Sequence, residues 1–331
     1  MKFGPVSVDD AEGAILAHSL NLPEGRMRKG AVLSAAQCAA LAAAGVSQVT
    51  VAQLEEGDVH EDAAARQLAA ASCKREARIQ LSAPFTGRVN LIAQTPGVVC
   101  LDVAQIDAAN AVDPMITVAT VPPFHQIHSG GMIATIKVIS YAVPGVAVMR
   151  ATELLGEAIG LATPIYASAS LIVTDIPGGP GRKGEEAIFN RLNGLGIELL
   201  ETRLCAHDEA ELAQEIGLAK GQIVLILTAS ATSDIRDTAP EALRQAGGQI
   251  TRFGIPVDPG NLLFLGALGD RPVIGLPGSA RSPVLHGADW VLSRVACGVP
   301  IEDADFAAMG VGGLLKEIPT RPQPRRGKPS V

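Results

Sequence analysis

Beyond Pro164 the chain alternates short apolar runs with helix-like stretches, and this alternation limits its fold more than any other feature. Ala169–Thr174, Ile197–Arg203, Gln222–Leu227 and Pro272–Leu276 read as strands, separated or followed by predicted helices at Glu185–Leu195, His207–Ile216, Ala239–Ala246 and Ser282–Cys297. Strands that alternate with helices build a mainly parallel sheet with helices packed on both faces. Ligands of such sheets bind outside the carboxyl ends of the strands, so the loops that follow these runs are where function is expected.

The first half has a different texture. Residues 7–75 form a small α/β unit: Ser34 is a suitable N-cap, Gly45 a suitable residue after the helix end, and Gln48–Val51 a following strand, with a second helix from after Asp58 through Ala71. From Ile79 to Tyr141 the runs at Arg88–Ala93, Gly97–Val103, Ile116–Val121 and Met132–Ile139 are β-branched and broken by Gly, Pro and Asn, which predicts a β-rich subdomain. Val148–Leu161 reads as a helical connector. The expected division is therefore 1–78, 79–147, 148–164, 165–310 and a tail at 311–331.

Composition narrows the class of ligand. The 331 residues carry Lys+Arg 27 against Asp+Glu 34, a net charge of -7, and Arg325-Arg326 in the tail forms the only basic cluster of note. Aromatic residues make up 3% of the chain, too few for base-stacking platforms, so nucleic acid is excluded as a partner and a small ligand is expected. Cys38, Cys73, Cys100, Cys205 and Cys297 are odd in number with no C-x-x-C pair, which suits core residues better than a disulfide framework or a zinc site. The N-terminus lacks a basic-then-apolar signal pattern, and no apolar run approaches the ~20 residues that span a bilayer, so a cytoplasmic protein without membrane contact is expected.

Three loops leave predicted strand ends. Thr174–Gly184 contains Gly178 and Gly179, which permit close backbone approach, and Arg182 and Lys183, which offer positive charge; the same composition suits a surface loop. It matches neither G-x-x-x-x-G-K-[ST] nor G-x-G-x-x-G. Thr228–Thr238 carries Asp234 and Asp237, close enough together to hold Mg²⁺ or polarise a hydroxyl. Thr238-Ala-Pro-Glu241 reads as a capping box, which makes Glu241 a helix cap, and Asp237 beside it also serves the helix dipole. Pro277–Pro283 places Ser282 as N-cap and Pro283 as first residue of the last predicted helix, with Arg281 positioned to grip a phosphate. Asp258 and Asn261, on the bend just upstream, suit either ligand edges or a self-satisfied Asx turn. His125 and His128 have metal-like spacing without an evident third ligand.

Thr228–Ala242, Pro256–Leu263 and Pro277–Pro283 resemble, in order, loops of the molybdopterin-binding domain family. Gly87–Leu91, Ala134–Ile139 and Gly310–Ile318 are similar to other parts of the same family, and the loops look more closely like those of bacterial molybdopterin-binding proteins sometimes fused to a molybdenum cofactor cytidylyltransferase, a domain not expected within these residues. The resemblance implies an α/β fold: a C-terminal three-layer α/β/α sandwich with a smaller N-terminal α+β region. It further implies molybdopterin or molybdenum cofactor as ligand, Mg²⁺ and a nucleotide in catalytic members, and site positions at Asp175, Gly178, Gly179, Lys183, Ser230, Thr232, Asp258, Gly260, Asn261, Gly278, Ser279, Arg281 and Ser282. Asp234 and Asp237 take the acidic, metal-associated positions. The Gly-Gly-Thr-Gly motif of catalytic relatives is replaced by Ala229-Ser-Ala-Thr232, whose side chains occupy space where backbone would approach a nucleotide.

The functions this leaves are a carrier of the pterin or a metal-assisted nucleotidyl or molybdate transferase; a non-catalytic partner that delivers or senses cofactor for a molybdoenzyme or a cofactor-biosynthesis protein; and a phosphate-ligand, for example nucleotide, binding protein unrelated to molybdenum. A homo-oligomer is compatible with each.

Overall fold

A computed structural model describes residues 1–23, 25–74 and 76–315; the Arg325-Arg326 cluster, most of the predicted tail and the end of the Gly310–Ile318 likeness lie outside the described residues. The chain is a mixed α/β protein that divides into two compact units. The first comprises Met1–Thr95, Val99–Pro123 and Ser129–Leu161; the second comprises Ala162 onward together with Pro96–Val98 and Phe124–His128.

In the first unit, Lys2–Ser7, Gln48–Gln53 and Ile15–Leu16 form an antiparallel sheet with Gln48–Gln53 in the middle. Helix Ala35–Ala43 begins at Ser34 as its composition requires, and Gln37 completes a capping box with it. A second sheet has the order Ile116–Thr120, Met132–Val138, Arg88–Ala93, Ile79–Leu81. Two expectations change here. The run at Gly97 stops as a strand at Leu101, because the Asp102 carboxylate accepts the Gln105 N–H and starts a helix at Val103–Asn110. The helix expected at 148–161 spans Gly145–Leu155 and ends at left-handed Gly156, after which Ile159–Ala162 is a strand.

The second unit carries the predicted alternation: β1 (Ser168–Asp175), α1 (Glu185–Asn193), β2 (Glu198–Ala206), α2 (Glu209–Leu218), β3 (Ile223–Leu227), α3 (Thr238–Gln245), β4 (Gln249–Phe253), β5 (Phe264–Leu268), β6 (Arg271–Leu276), α4 (Gly287–Ala296) and α5 (Asp303–Ala308). The strand order is β2-β1-β3-β6-β5-β4. β2, β1, β3 and β6 are mutually parallel, whereas β5 pairs antiparallel with both β6 and β4. β4, β5 and α5 were not legible as separate elements in the sequence.

Alternate residues of each central strand feed two cores. Leu171, Leu225 and Ile274 face α1 and α4, packing with Ile188, Leu192, Val291 and Leu292. Ile172, Val224, Ile226 and Val273 face α2 and α3, packing with Leu212, Ile216 and Leu243. Helices on both faces of a largely parallel sheet make this unit a three-layer α/β/α sandwich. Phe264 is fully buried in the second core because Gly275, its partner across the β5–β6 ladder, has no side chain: a Cβ there would lie 1.9 Å from the ring.

Candidate functional site

From β1 the chain crosses to β2 on one side and then returns to β3 on the other, so the order of the sheet reverses between β1 and β3. That is a topological switch point, where a crevice opens outside the carboxyl ends. The loops after β1, β3 and β6 therefore start side by side. β4 runs parallel to β6 through the intervening antiparallel β5, so the bend at 254–263 leaves the same edge.

Hydrogen bonds at the strand ends set the loops' starting directions. Thr174 Oγ1 accepts the Ala229 N–H at 2.9 Å and lies 2.9 Å from His207 Nδ1, joining the ends of β1, β2 and β3. Asp175 turns its carboxylate inward to accept the Gly181 N–H at 3.1 Å, while its carbonyl accepts the His207 N–H at 3.0 Å. Gly178 and Gly179 lie exposed on this loop, and Lys183 is exposed beyond them.

Arg281 holds the three loops together. One terminal nitrogen of its guanidinium donates to the carbonyls of Gly181 and Lys183, and the other donates to the Thr228 carbonyl at 3.0 Å. Three of the five N–H donors are thus committed to backbone of the other two loops. Burial draws the Arg281 pKa down, and Asp175 partly opposes that shift. The contact is close enough to dictate Gly184, at φ 97°, where an added Cβ would sit 2.6 Å from the Arg281 Cα.

A second arginine supports the loop from below. Arg191, on α1, forms an ion pair with Asp289 and donates to the carbonyls of Ala280 at 2.9 Å, Ser282 at 2.8 Å and Val284 at 3.1 Å. These bonds accompany a correction: Ser282 does not cap the last long helix. Residues 278–281 make a 3-10 turn, and α4 starts only at Gly287. His286 is its N-cap and shares a capping box with Asp289, whose carboxylate accepts the His286 N–H at 2.7 Å. The first amides of α4 are already used, Gly287 by the Pro259 carbonyl and Ala288 by the His286 ring, so this helix end offers no phosphate seat.

His286 is buried, with its Nε2 2.7 Å from Ser279 Oγ and its Nδ1 accepting the Ala288 N–H at 3.0 Å. Its pKa falls to about 4, chiefly from burial and then from Arg191, with Asp258 opposing. A ring nitrogen that accepts a backbone N–H carries no proton, so the proton of the neutral ring resides on Nε2. Nε2 is then a donor toward Ser279 and cannot act as a base that activates it.

The acidic loop is organised differently. Asp237, not Thr238, caps α3: its carboxylate accepts the N–H groups of Thr238 at 2.8 Å and Ser233 at 2.9 Å. Thr238 is the first helical residue, and Glu241 pairs with Arg244 at 3.0 Å where a capping box was expected. Asp234 is exposed and accepts the Arg236 N–H at 2.8 Å. Both carboxylates thus accept N–H groups of the local backbone; no cluster of three His, Cys, Asp or Glu side chains able to hold a metal occurs among the described residues, around His125 and His128 included. Ser230 is exposed, and its carbonyl accepts the Thr228 hydroxyl at 2.6 Å; Thr232 is buried behind it.

On the upstream bend, Asp258 donates its N–H to the Gly313 carbonyl at 2.8 Å, Gly260 packs against Gly287, and Asn261 is exposed with its carbonyl accepting the Ile255 N–H at 3.1 Å. Gly278 and Ser279 are exposed on the loop after β6. A cavity of about 310 Å³ lined by Leu101, Ile106, Asn110 and Val118 lies in the first unit and is unrelated to these loops. His286 and Arg191 were missed in the sequence; the only local sign of His286 was an Asp three residues later at the start of a helix.

A family model described as a domain of unknown function (DUF8806) matches residues 5–53, within the first unit. No curated protein matches the sequence. Among solved structures, the chain is similar to the molybdopterin biosynthesis moea protein from Pyrococcus horikosii at 14% identity and a TM-score of 0.33, covering 90% of this chain and 75% of that one. It is also similar to a molybdenum cofactor biosynthesis protein from Pyrococcus furiosus at 12% identity and a TM-score of 0.23, covering 85% of this chain but only 59% of the other. No helix among the described residues is long and apolar enough to cross a membrane.

Proposed function

We propose that this protein binds molybdopterin or the molybdenum cofactor at the carboxyl edge of the second unit's sheet, as a step in the cofactor's biosynthesis or maturation. The observation that carries this reading is the Arg281 guanidinium, which gathers the loops after β1 and β3 against its own loop at the switch point. Two of these three loops are among those whose residues resemble the molybdopterin-binding domain family. Lys183 supplies an exposed cation at the edge, Ser230, Ser279 and Asn261 supply exposed polar side chains, and Gly178 and Gly278, with open space where a side chain would stand, leave room for a ligand's flat ring system.

The use of Asp234 and Asp237 favours a binding or delivery role over metal-assisted transfer. Each carboxylate accepts backbone N–H groups of its own loop, so its orientation is set by the turn and the α3 cap. In this reading residues 165–310 are the ligand domain and the first half supplies contact surface for a cofactor-biosynthesis protein or a molybdoenzyme.

The test is binding of molybdopterin, with and without molybdate and Mg-ATP, to the purified protein and to Arg281→Ala. The expected result is nucleotide-independent binding by the native chain, weakened about tenfold or more when the loops lose their clamp. Absence of pterin binding by the native chain overturns the proposal, and tight ATP binding with indifference to pterin replaces it with a nucleotide-binding function.

A further inference from the structure

We infer that Ser279 donates a hydrogen bond to an oxygen of the ligand, and that His286 is the positioning residue that turns the hydroxyl hydrogen outward for it. The inference rests on the ligand-site reading above and deepens it by assigning the polarity of one contact.

The argument is one of counting donors. Ala288 N–H points at His286 Nδ1 at 3.0 Å, so Nδ1 must be an unprotonated acceptor. An imidazolium, with protons on both nitrogens, would set two donors against each other there. The buried ring is therefore neutral, with its single proton on Nε2, 2.7 Å from Ser279 Oγ. That proton fills one lone-pair direction of the hydroxyl. Ser279's own hydrogen cannot return to a nitrogen that already bears one, so it points away from His286. Ser279 is exposed on the loop that Arg281 binds to the other two, so its hydroxyl offers its hydrogen outward at the carboxyl edge.

Several residues keep the ring in this state. Asp289 accepts the His286 N–H at 2.7 Å and is itself paired with Arg191, while Gly287 N–H is held by the Pro259 carbonyl at 2.9 Å. The ring can neither flip nor withdraw without breaking the cap of α4. With its hydrogen already turned outward, the hydroxyl meets an acceptor oxygen of the ligand, such as one of a phosphate or molybdate, without reorienting.

The probe is molybdopterin, bound to the native chain, Ser279→Ala, His286→Asn and the double variant. Asparagine is chosen because it still caps a helix but is too short to reach Ser279. The expected results are about tenfold weaker binding for Ser279→Ala and about fivefold for His286→Asn, with the double variant no weaker than Ser279→Ala alone. Native binding together with an unaltered Ser279→Ala, or additive losses in the double variant, overturns this inference while leaving the ligand site intact. Failure of the native chain to bind overturns the ligand reading itself. A folding-independent measurement stands beside these: the long-range 1H–15N spectrum of histidine-labelled native protein at neutral pH should show His286 protonated on Nε2 with a bare Nδ1, and the opposite tautomer overturns the assignment.

Discussion

The loops after β3 and β6 leave adjacent parallel strands and carry comparable sets of polar residues, yet they use them in opposite ways. After β3, Asp234 and Asp237 bend back onto amides within four residues of themselves. After β6, Arg281 reaches residues about a hundred positions away, and Ser279 is fixed by a buried histidine. The difference is one of reach. A short carboxylate beside a helix start finds its best partners in the local backbone, whereas a guanidinium on a long stem can satisfy distant carbonyls in a fixed fork. The first loop is therefore self-contained, and the second organises its neighbours.

Arg281→Ala gives the largest break in this contrast. Three carbonyls lose a charge-assisted donor, so we expect a loss of about 3 kcal/mol in unfolding free energy, read by denaturant titration, together with faster amide exchange in the loops after β1 and β3. Arg281→Lys should recover little, because one ammonium cannot serve carbonyls on both sides of the crevice. Full stability in Arg281→Ala would show that the loops hold themselves.

The second test is pH. His286 binds a proton near 6.5 when unfolded but only at about 4 in the folded chain. Between those values the unfolded state holds more protons, so stability is complete above pH 6.5 and declines as pH falls toward 4, by up to about 3 kcal/mol. Asp289 acts in the opposite sense, since burial outweighs Arg191 and raises its pKa, favouring proton uptake by the folded chain at the acid end. The slope between pH 6.5 and 4 should flatten in His286→Asn. An unchanged slope would remove His286 from the account of the loop after β6.

These same residues show why the site was only partly legible. The alternation of apolar runs after Pro164 follows from local patterning, and it yielded the sheet and the edge from which the loops depart. The runs at Gln249 and Phe264 were obscured because β4 and β5 flank the Gly- and Pro-bent segment between them, which reads as one long loop. Ser282-Pro283 satisfies every local rule for a helix start, but the helix begins at His286, where a capping box with Asp289 coincides with ties from Pro259 and Arg191. Arg191 lies some ninety residues before the loop it supports, and no spacing rule connects the two. Asp237 was displaced by one position, as expected where Asp and Thr compete for one cap.

That displacement supplies the third test. Removing the carboxylate in Asp237→Ala should cost about 1 kcal/mol through loss of the α3 cap and should leave the β1 loop's amide exchange unaltered. Losses that spread to the β1 loop would show that the loop after β3 also organises its neighbours, contrary to the contrast drawn here.

Asp234 gives the smallest expected effect and the sharpest discrimination. It is exposed, and its carboxylate accepts the Arg236 N–H, a turn contact that water can replace. Asp234→Ala should therefore change stability by less than about 0.5 kcal/mol. If the loop after β3 only closes on itself, the same variant should bind molybdopterin as the native chain does, with or without Mg²⁺. If Asp234 instead turns outward to hold a metal with the ligand's phosphate, binding should be strengthened by Mg²⁺ in the native chain, and that increment alone should vanish in the variant. A Mg²⁺-dependent increment of tenfold that disappears with Asp234 would reverse the assignment of this loop, since a residue without structural cost would then be kept for chemistry rather than for the turn.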